Sequence, residues 1–248
     1  MEIVDGVVPF CESLDAYVKK GAGVDMVLKA MLGIVRLVSI HSSCEETRQN
    51  YAQFAYAIIN CRMLANHFRY IMSFKSAVDV LKRREGPILP CLCLGGMHFF
   101  RSLEQVFGDL NYYQMIFMRH WNRTRISLGY WFFKSLSLTC GFVNELLRLK
   151  STLSSPQWKK QTQQERSMFL KAVIISLTRY ICDMVVYYQW IPCYNPNKTL
   201  QYICGSLCGS LAVYAFWNET QAARLAAAKK APQPNGVLNG KTTAANLL

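Results

Sequence analysis

Residues 199–218 read TLQYICGSLCGSLAVYAFWN, twenty residues without a charge between Lys198 and Glu219. At a rise of about 1.5 Å per residue, a helix of this length spans ~30 Å, the thickness of a bilayer's hydrocarbon core. Tyr202 lies near one end and Tyr214 and Trp217 near the other, where aromatic rings settle at a membrane–water boundary. Gly205 and Gly209 form a GxxxG, and Ser206 and Ser210 repeat the small-residue spacing one position on. Such a face lets a second helix approach closely, the main source of helix pairing in lipid. The stretch predicts a transmembrane helix with Gly205 and Gly209 at a packing contact, here with a second copy of the chain. Its other reading is a buried helix of a soluble protein.

Working outward, residues 126–144 (ISLGYWFFKSLSLTCGFVN) form a second candidate span, interrupted by Lys134. One lysine at mid-depth costs ~2.5–3.5 kcal/mol, so the segment either crosses or lies on the surface with Lys134 snorkelling. Residues 169–191 carry Lys171, Arg179 and Asp183 and make a poor lipid-exposed span. Arg179 and Asp183, four residues apart, are placed to pair on one helix face. Residues 88–107 are broken by Pro90, Gly95, Gly96 and Arg101, the pattern of a re-entrant element, an interfacial one or ordinary core.

The whole chain agrees with this bias. Of 248 residues, 52% are hydrophobic and 17% charged, against roughly 25% charged in soluble domains. The net charge of +13 on so apolar a chain suits an anionic membrane surface; nucleic acid, the other usual partner of such charge, is not expected. The ten cysteines are scattered without a CxxC and predict a reduced setting, and Cys91, Cys93 and His98 fit no zinc spacing. No phosphate loop, nucleophile elbow or zinc-protease motif occurs, which predicts no enzyme, no cofactor and no metal. Asn122, Asn197 and Asn218 begin formal glycosylation sequons beside the predicted membrane edges. Glu2, Asp5, Glu12 and Asp15 stand where a signal peptide needs basic and then apolar residues, so none is expected.

Toward the N-terminus the pattern becomes amphipathic. Across 24–38, Asp25, Lys29 and Arg36 share one side of a helical wheel. Val24, Val27, Leu28, Met31, Ile34, Val35 and Val38 share the other, with Leu32 misplaced. A longer helix is predicted over 46–84. Tyr51, Phe54, Ile58, Cys61, Ala65, Phe68 and Met72 form its apolar stripe, flanked by Arg48, Arg62, Arg69 and Lys75. The stripe, with Arg62 and Arg69, predicts a wedge binding anionic phospholipid; its alternative is a hairpin packed on 24–38. The expected class is all-α, an integral membrane protein with amphipathic N-terminal helices and about two transmembrane helices. Its regions are 1–110, amphipathic and membrane-remodelling; 111–218, the membrane region; and 219–248, a flexible basic tail.

Three collinear segments resemble the peroxin-11 family of peroxisomal membrane proteins. Gly23, Asp25, Lys29, Arg36 and Leu37 keep the spacing of the family's N-terminal signature, while Val24, Met26, Leu32 and Gly33 depart from its Arg, Lys, Gln and Tyr. Arg179, Asp183 and Met184 look like its basic-x-x-x-Asp-Leu motif, with Val185 in place of the following proline. Gly205, Gly209, Ser210, Tyr214 and Trp217 are similar to its last hydrophobic segment. The pattern suits a divergent member, of the kind represented by the glycosomal membrane proteins of trypanosomatids. The resemblance implies a multi-pass protein of the peroxisomal or glycosomal membrane with both termini in the cytosol. It implies elongation and division of the organelle by amphipathic-helix insertion, homo-oligomerisation and recruitment of the peroxisomal fission machinery. The alternative function is a small-solute channel, with Lys134, Lys171, Arg179 and Asp183 along a polar path.

Overall fold

Three of the described helices start on side-chain caps. A computed structural model describes residues 22–83, 87–118, 120–188 and 197–230, which hold eight helices and no strand. They are α1 (Ala22–His41), α2 (Glu45–Ala65), α3 (Arg69–Arg83), α4 (Ile88–Ile116), α5 (Arg123–Ser154), α6 (Pro156–Lys160), α7 (Gln163–Tyr187) and α8 (Lys198–Lys230). Asn122 caps α5 by accepting from the Arg125 amide at 3.1 Å. Ser155 caps the short α6, with Pro156 at its first position, where a missing N–H costs nothing. Thr162 and Glu165 form a capping box at α7, and the Thr162 amide and hydroxyl hold the Glu165 carboxyl below its usual range.

The fold is all-α, as expected, but several boundaries differ. The helix predicted over 46–84 breaks at residues 66–68, where Phe68 takes a left-handed backbone (φ 60°). Asp109 of α4 holds the break by accepting the Phe68 amide at 3.3 Å. The segment 88–107 is not re-entrant: α4 runs through it, because Pro90 falls in the first turn, whose N–H groups lack intrahelical partners anyway. The boundary expected at residue 110 also falls inside α4. The basic tail expected from 219 is helical through Lys230, and residues 231–248 of that tail lie outside the described residues. By length and hydropathy, Lys198–Gln221 is the one described segment suited to crossing a membrane; 126–144 does not qualify by that measure.

Packing runs from neighbour to neighbour as α3, α4, α5, α7, α8, α1 and α2, and α2 touches α4, so the helices close a ring. The apolar contact between α1 and α2 is a small cluster of Leu32, Val35, Ala55 and Ile58, with Leu28 and Ile59 against it. Leu32, misplaced on the wheel, and Ile58, expected in the lipid stripe, are thus packed against each other.

Small residues set the α1–α8 crossing. A Cβ on Gly209 would stand 2.5 Å from the Ala30 backbone nitrogen, and one on Gly33 would collide with Ser206. Gly209 therefore serves a contact within the chain and is not free to pair two copies, contrary to the expectation. Gly205 faces more open space, its nearest neighbour being Val186 Cγ2 at 4.0 Å. Gly209→Leu is expected to lower the melting temperature of the purified chain, at ~1–3 kcal/mol for an overpacked contact, while Gly205→Leu leaves it nearly unchanged. Thermal unfolding of the two single variants, followed by circular dichroism, distinguishes them.

Candidate functional site

The polar side of α1 faces inward. Asp25 Oδ1 accepts from Arg62 Nε of α2 at 2.9 Å and from Asn66 Nδ2 at the same distance. Asn66 in turn donates to the Arg62 carbonyl at 2.8 Å and accepts from Arg69 Nη1 at 2.5 Å. One turn further along α1, Lys29 Nζ donates to both carboxylate oxygens of Asp183 on α7, at 2.6 and 2.8 Å, and lies 3.1 Å from Cys208 Sγ on α8. The side chains of Lys29 and Asp183 are only 18% and 12% exposed. Across the ring, Lys134 of α5 donates to Glu104 Oε1 of α4 at 2.8 Å and sits over the Tyr187 ring.

A fourth pairing closes the ring at the α2–α3 break. His67 Nδ1 lies 3.1 Å from Asp109 Oδ1, and Nε2 lies 2.7 Å from the Tyr113 hydroxyl. Nδ1 lies close to the carboxylate without a hydrogen bond to it, while Nε2 shares one with the Tyr113 hydroxyl. Each carboxylate in this interior thus has a cation or imidazole within reach, the condition under which charge is tolerated away from water.

Outside, the arrangement inverts. Val27, Met31, Ile34 and Val38, four apolar residues of one α1 face, are 37–54% exposed. Leu128, Phe132, Leu146 and Leu153 line the outer face of α5, and Leu200, Ile203, Leu207 and Tyr214 that of α8. Among buried residues, by contrast, Ser102, Glu104, Gln114, Ser135, Ser137, Glu145, Asp183 and Thr220 stand beside small apolar ones such as Ala55, Ala77, Cys208 and Ala212. Polar groups are thus frequent between the helices, and large apolar groups are frequent on their outer faces.

The predicted lipid stripe is divided by this geometry. Tyr51, Phe54, Cys61 and Ala65 are exposed on α2, Phe68 at the break, and Met72 on α3. Ile58 is buried against α1, and Arg62, expected at the lipid edge, turns inward to Asp25. Arg69 is half-buried against Asn66. The stripe is therefore not one continuous strip: the break at 66–68 sets its two parts on separate helices. Asp183 bonds Lys29 rather than Arg179, its expected partner four residues away, although Arg179 and Asp183 line the same cleft. Glu104 and Asp109 escaped the sequence reading; their signal was a pair of carboxylates five residues apart in an otherwise apolar helix.

No family model, curated protein or solved structure matches the chain.

The Lys29–Asp183 pair gives a direct test. Lys29→Ala or Asp183→Ala alone leaves an uncompensated buried charge and is expected to cost ~3–5 kcal/mol. Lys29→Met with Asp183→Leu removes both charges and should recover most of that loss. A double-mutant cycle on thermal unfolding of the full chain measures it; additive losses would deny the coupling.

Proposed function

We propose that this protein is an integral component of a peroxisomal or glycosomal membrane, of the peroxin-11 kind, and that it elongates and remodels that membrane before division rather than acting as an enzyme. One observation carries the reading: large apolar side chains line the outer faces of α1, α5 and α8, while the ion pairs Lys29–Asp183, Arg62–Asp25 and Lys134–Glu104 turn inward, an arrangement that matches lipid as the surrounding solvent. Just 17% of the most apolar window of α8 is buried within the chain, so most of it is left for another environment. Lys134, the obstacle to a second crossing over 126–144, has Glu104 as its counter-ion, which lowers the cost of burying that helix in lipid.

The resemblance adds its own support. Its three segments, the first more than a hundred residues from the other two, meet in space: Lys29 from the first pairs with Asp183 from the second, and Gly209 from the third rests on Ala30. Positions that jointly hold a bundle together are those a family would share. On this reading the chain crosses the membrane through α5 and α8 with both termini cytosolic. Its partners are anionic phospholipid, further copies of the chain, and the peroxisomal fission machinery.

The wedge consists of the exposed faces of α2 and α3, where Phe54, Phe68, Ile71, Met72 and Phe74 stand out beside the exposed Lys75. Burial in lipid contributes ~1.5–3 kcal/mol for each large side chain fully inserted, enough to hold both helices at an interface. Phe68 is informative because its left-handed backbone costs ~1–3 kcal/mol while its ring remains 56% exposed. Phe68→Gly is expected to raise the stability of the isolated chain by about 1 kcal/mol and yet weaken tubulation of anionic vesicles. Phe54→Glu should abolish tubulation with little change in unfolding. Alkaline carbonate extraction of the organelle is the prior check, and full-length protein in the soluble fraction would overturn the membrane reading.

A second reading, passage of small solutes, is favoured by a specific feature: Lys134, Arg179 and Asp183 line one cleft. Lys171, grouped with them on sequence, is exposed elsewhere on α7. Solute flux through the purified chain in liposomes separates conduction from remodelling.

A further inference from the structure

Two clefts flank Asp183. One, of about 70 Å³, opens among α1, α2, α7 and α8 and includes Lys29, Arg36 and Arg62. The charges there are matched or engaged: Lys29 by Asp183, Arg62 by Asp25, and Arg36 by stacking over the Tyr202 ring at 5.4 Å. The other, of about 140 Å³, lies among α4, α5 and α7 and is lined by Arg101, Lys134, Ser137, Ser176, Arg179 and Tyr180. It has roughly ten times the ~10–15 Å³ that one water requires.

The charge balance of this second cleft is unequal. Glu104 pairs with Lys134 through Oε1, Asp183 pairs with Lys29, and buried Glu145 lies 3.3 Å from Arg148; Glu104 Oε2 and Glu145 Oε1 accept no hydrogen bond, but neither residue lines the cleft. Arg101 and Arg179 form no ion pair among the described residues. Arg179 Nε is shielded from solvent without a hydrogen-bond acceptor, an expensive condition for a charged donor. Arg101 is exposed at the cleft's edge. Lys134, Ser137 and Tyr180 already donate to Glu104, the Met97 carbonyl and Met97 Sδ, and the Asp183 carboxylate that also lines the cleft is engaged by Lys29, so the two guanidiniums are the charged donors left over in this space. A planar fork of N–H groups is the arrangement that suits carboxylate and phosphate oxygens, and phosphate best uses several forks at once.

We propose that the cleft between α4, α5 and α7 binds a small phosphate-class oxyanion, with Arg101 and Arg179 as its ligands. The oxyanion supplies the acceptors that Arg179 Nε and Arg101 lack within the chain. Phosphate monoesters reach such a cleft from two sources, a soluble metabolite or the headgroup of an anionic lipid. The site stands on its own geometry, whether or not the chain remodels membranes or conducts solutes.

Binding is measured on the full chain in phosphatidylcholine nanodiscs, by calorimetric titration with inorganic phosphate, and in parallel by retention of phosphatidic acid during purification. Saturable binding of inorganic phosphate indicates the soluble source; retention of phosphatidic acid alone indicates the headgroup. In either case Arg101→Gln, at an exposed position that leaves folding intact, should weaken binding about tenfold or more, as loss of one charged hydrogen-bond pair implies. Arg179→Lys keeps the charge but not the fork and should weaken it as well. Lys171→Gln, on the outer face of α7, should bind like the parent chain. Absence of both phosphate and phosphatidic acid from the parent chain would overturn the proposal, as would equal binding by the Arg101→Gln and Arg179→Lys variants.

Discussion

The contact between Lys29 and Asp183 governs the rest of the architecture. Neither group is tolerable alone in an interior away from water, because an unpaired ion there loses several kcal/mol of hydration. Together they hold one another at 2.6 and 2.8 Å across 154 residues of sequence. The pair draws α1 toward α7 although α8 lies against both. That demand explains the small residues on α8. Ala30, Gly33, Ser206 and Gly209 let α1 and α8 approach until backbone meets backbone, the closeness that a short lysine-to-aspartate bridge beside Cys208 requires.

Buried apolar area does not hold this bundle in the usual way. Among the described residues one cluster of buried large apolar residues, Leu32, Val35 and Ile58 with Ala55, lies between α1 and α2. Elsewhere ring contacts such as Phe107 with Phe133 and Tyr130 with Tyr187 join small side chains and polar bridges between the helices. Ser137 donates to the Met97 carbonyl and Ser102 to the Tyr70 carbonyl, both at 3.0 Å. In water the outward leucines and phenylalanines would gain nothing from folding. In lipid, where apolar contact is equally good everywhere, close backbone approach and interior hydrogen bonds are what favour one arrangement over another.

The helices were legible because their periods are strong: the apolar faces over 24–38 and 51–72 repeat at three and four residues, and 199–218 is uncharged throughout. Sequence also marked Lys29, Asp183, Gly209 and the stripe from Tyr51 to Met72 as special. It could not say which way the faces point. A helical wheel separates polar from apolar sides, and the solvent decides which one turns outward. Reading α1 with water outside assigns Asp25, Lys29 and Arg36 to the surface, whereas the structure buries Asp25 and Lys29. Partner choice was hidden for a related reason. Arg179 is the nearer cation to Asp183 in sequence, but one on the far side of a crossing is in better reach, and crossings are not written in spacing. The break at Phe68 was masked by a stripe that keeps its period across residues 66–68 while the backbone does not.

That break bears on how such a chain would act on a membrane. A free amphipathic helix inserts by itself, and its curvature follows from its own depth. Here α2 is tied inward by Arg62 to Asp25, and α3 is tied to α4 by Ser73 donating to Gln105 at 2.7 Å. Between them His67 and Phe68 are fixed by Asp109. An isolated peptide of residues 46–84 would lack Asp25, Gln105 and Asp109, and would be free to become the continuous helix that its sequence pattern describes. Its behaviour on vesicles would then report a conformation the intact chain does not adopt. On the membrane reading proposed above, the unit presented to lipid would be a bent pair of helices fastened to a ring, with exposed rings at Phe54, Phe68 and Phe74 held at fixed relative positions. Curvature produced by such a unit depends on the ring's rigidity as well as on the apolar area inserted. A variant that frees the break while keeping every exposed ring therefore acts on the mechanism itself, because it changes rigidity and leaves hydrophobicity alone.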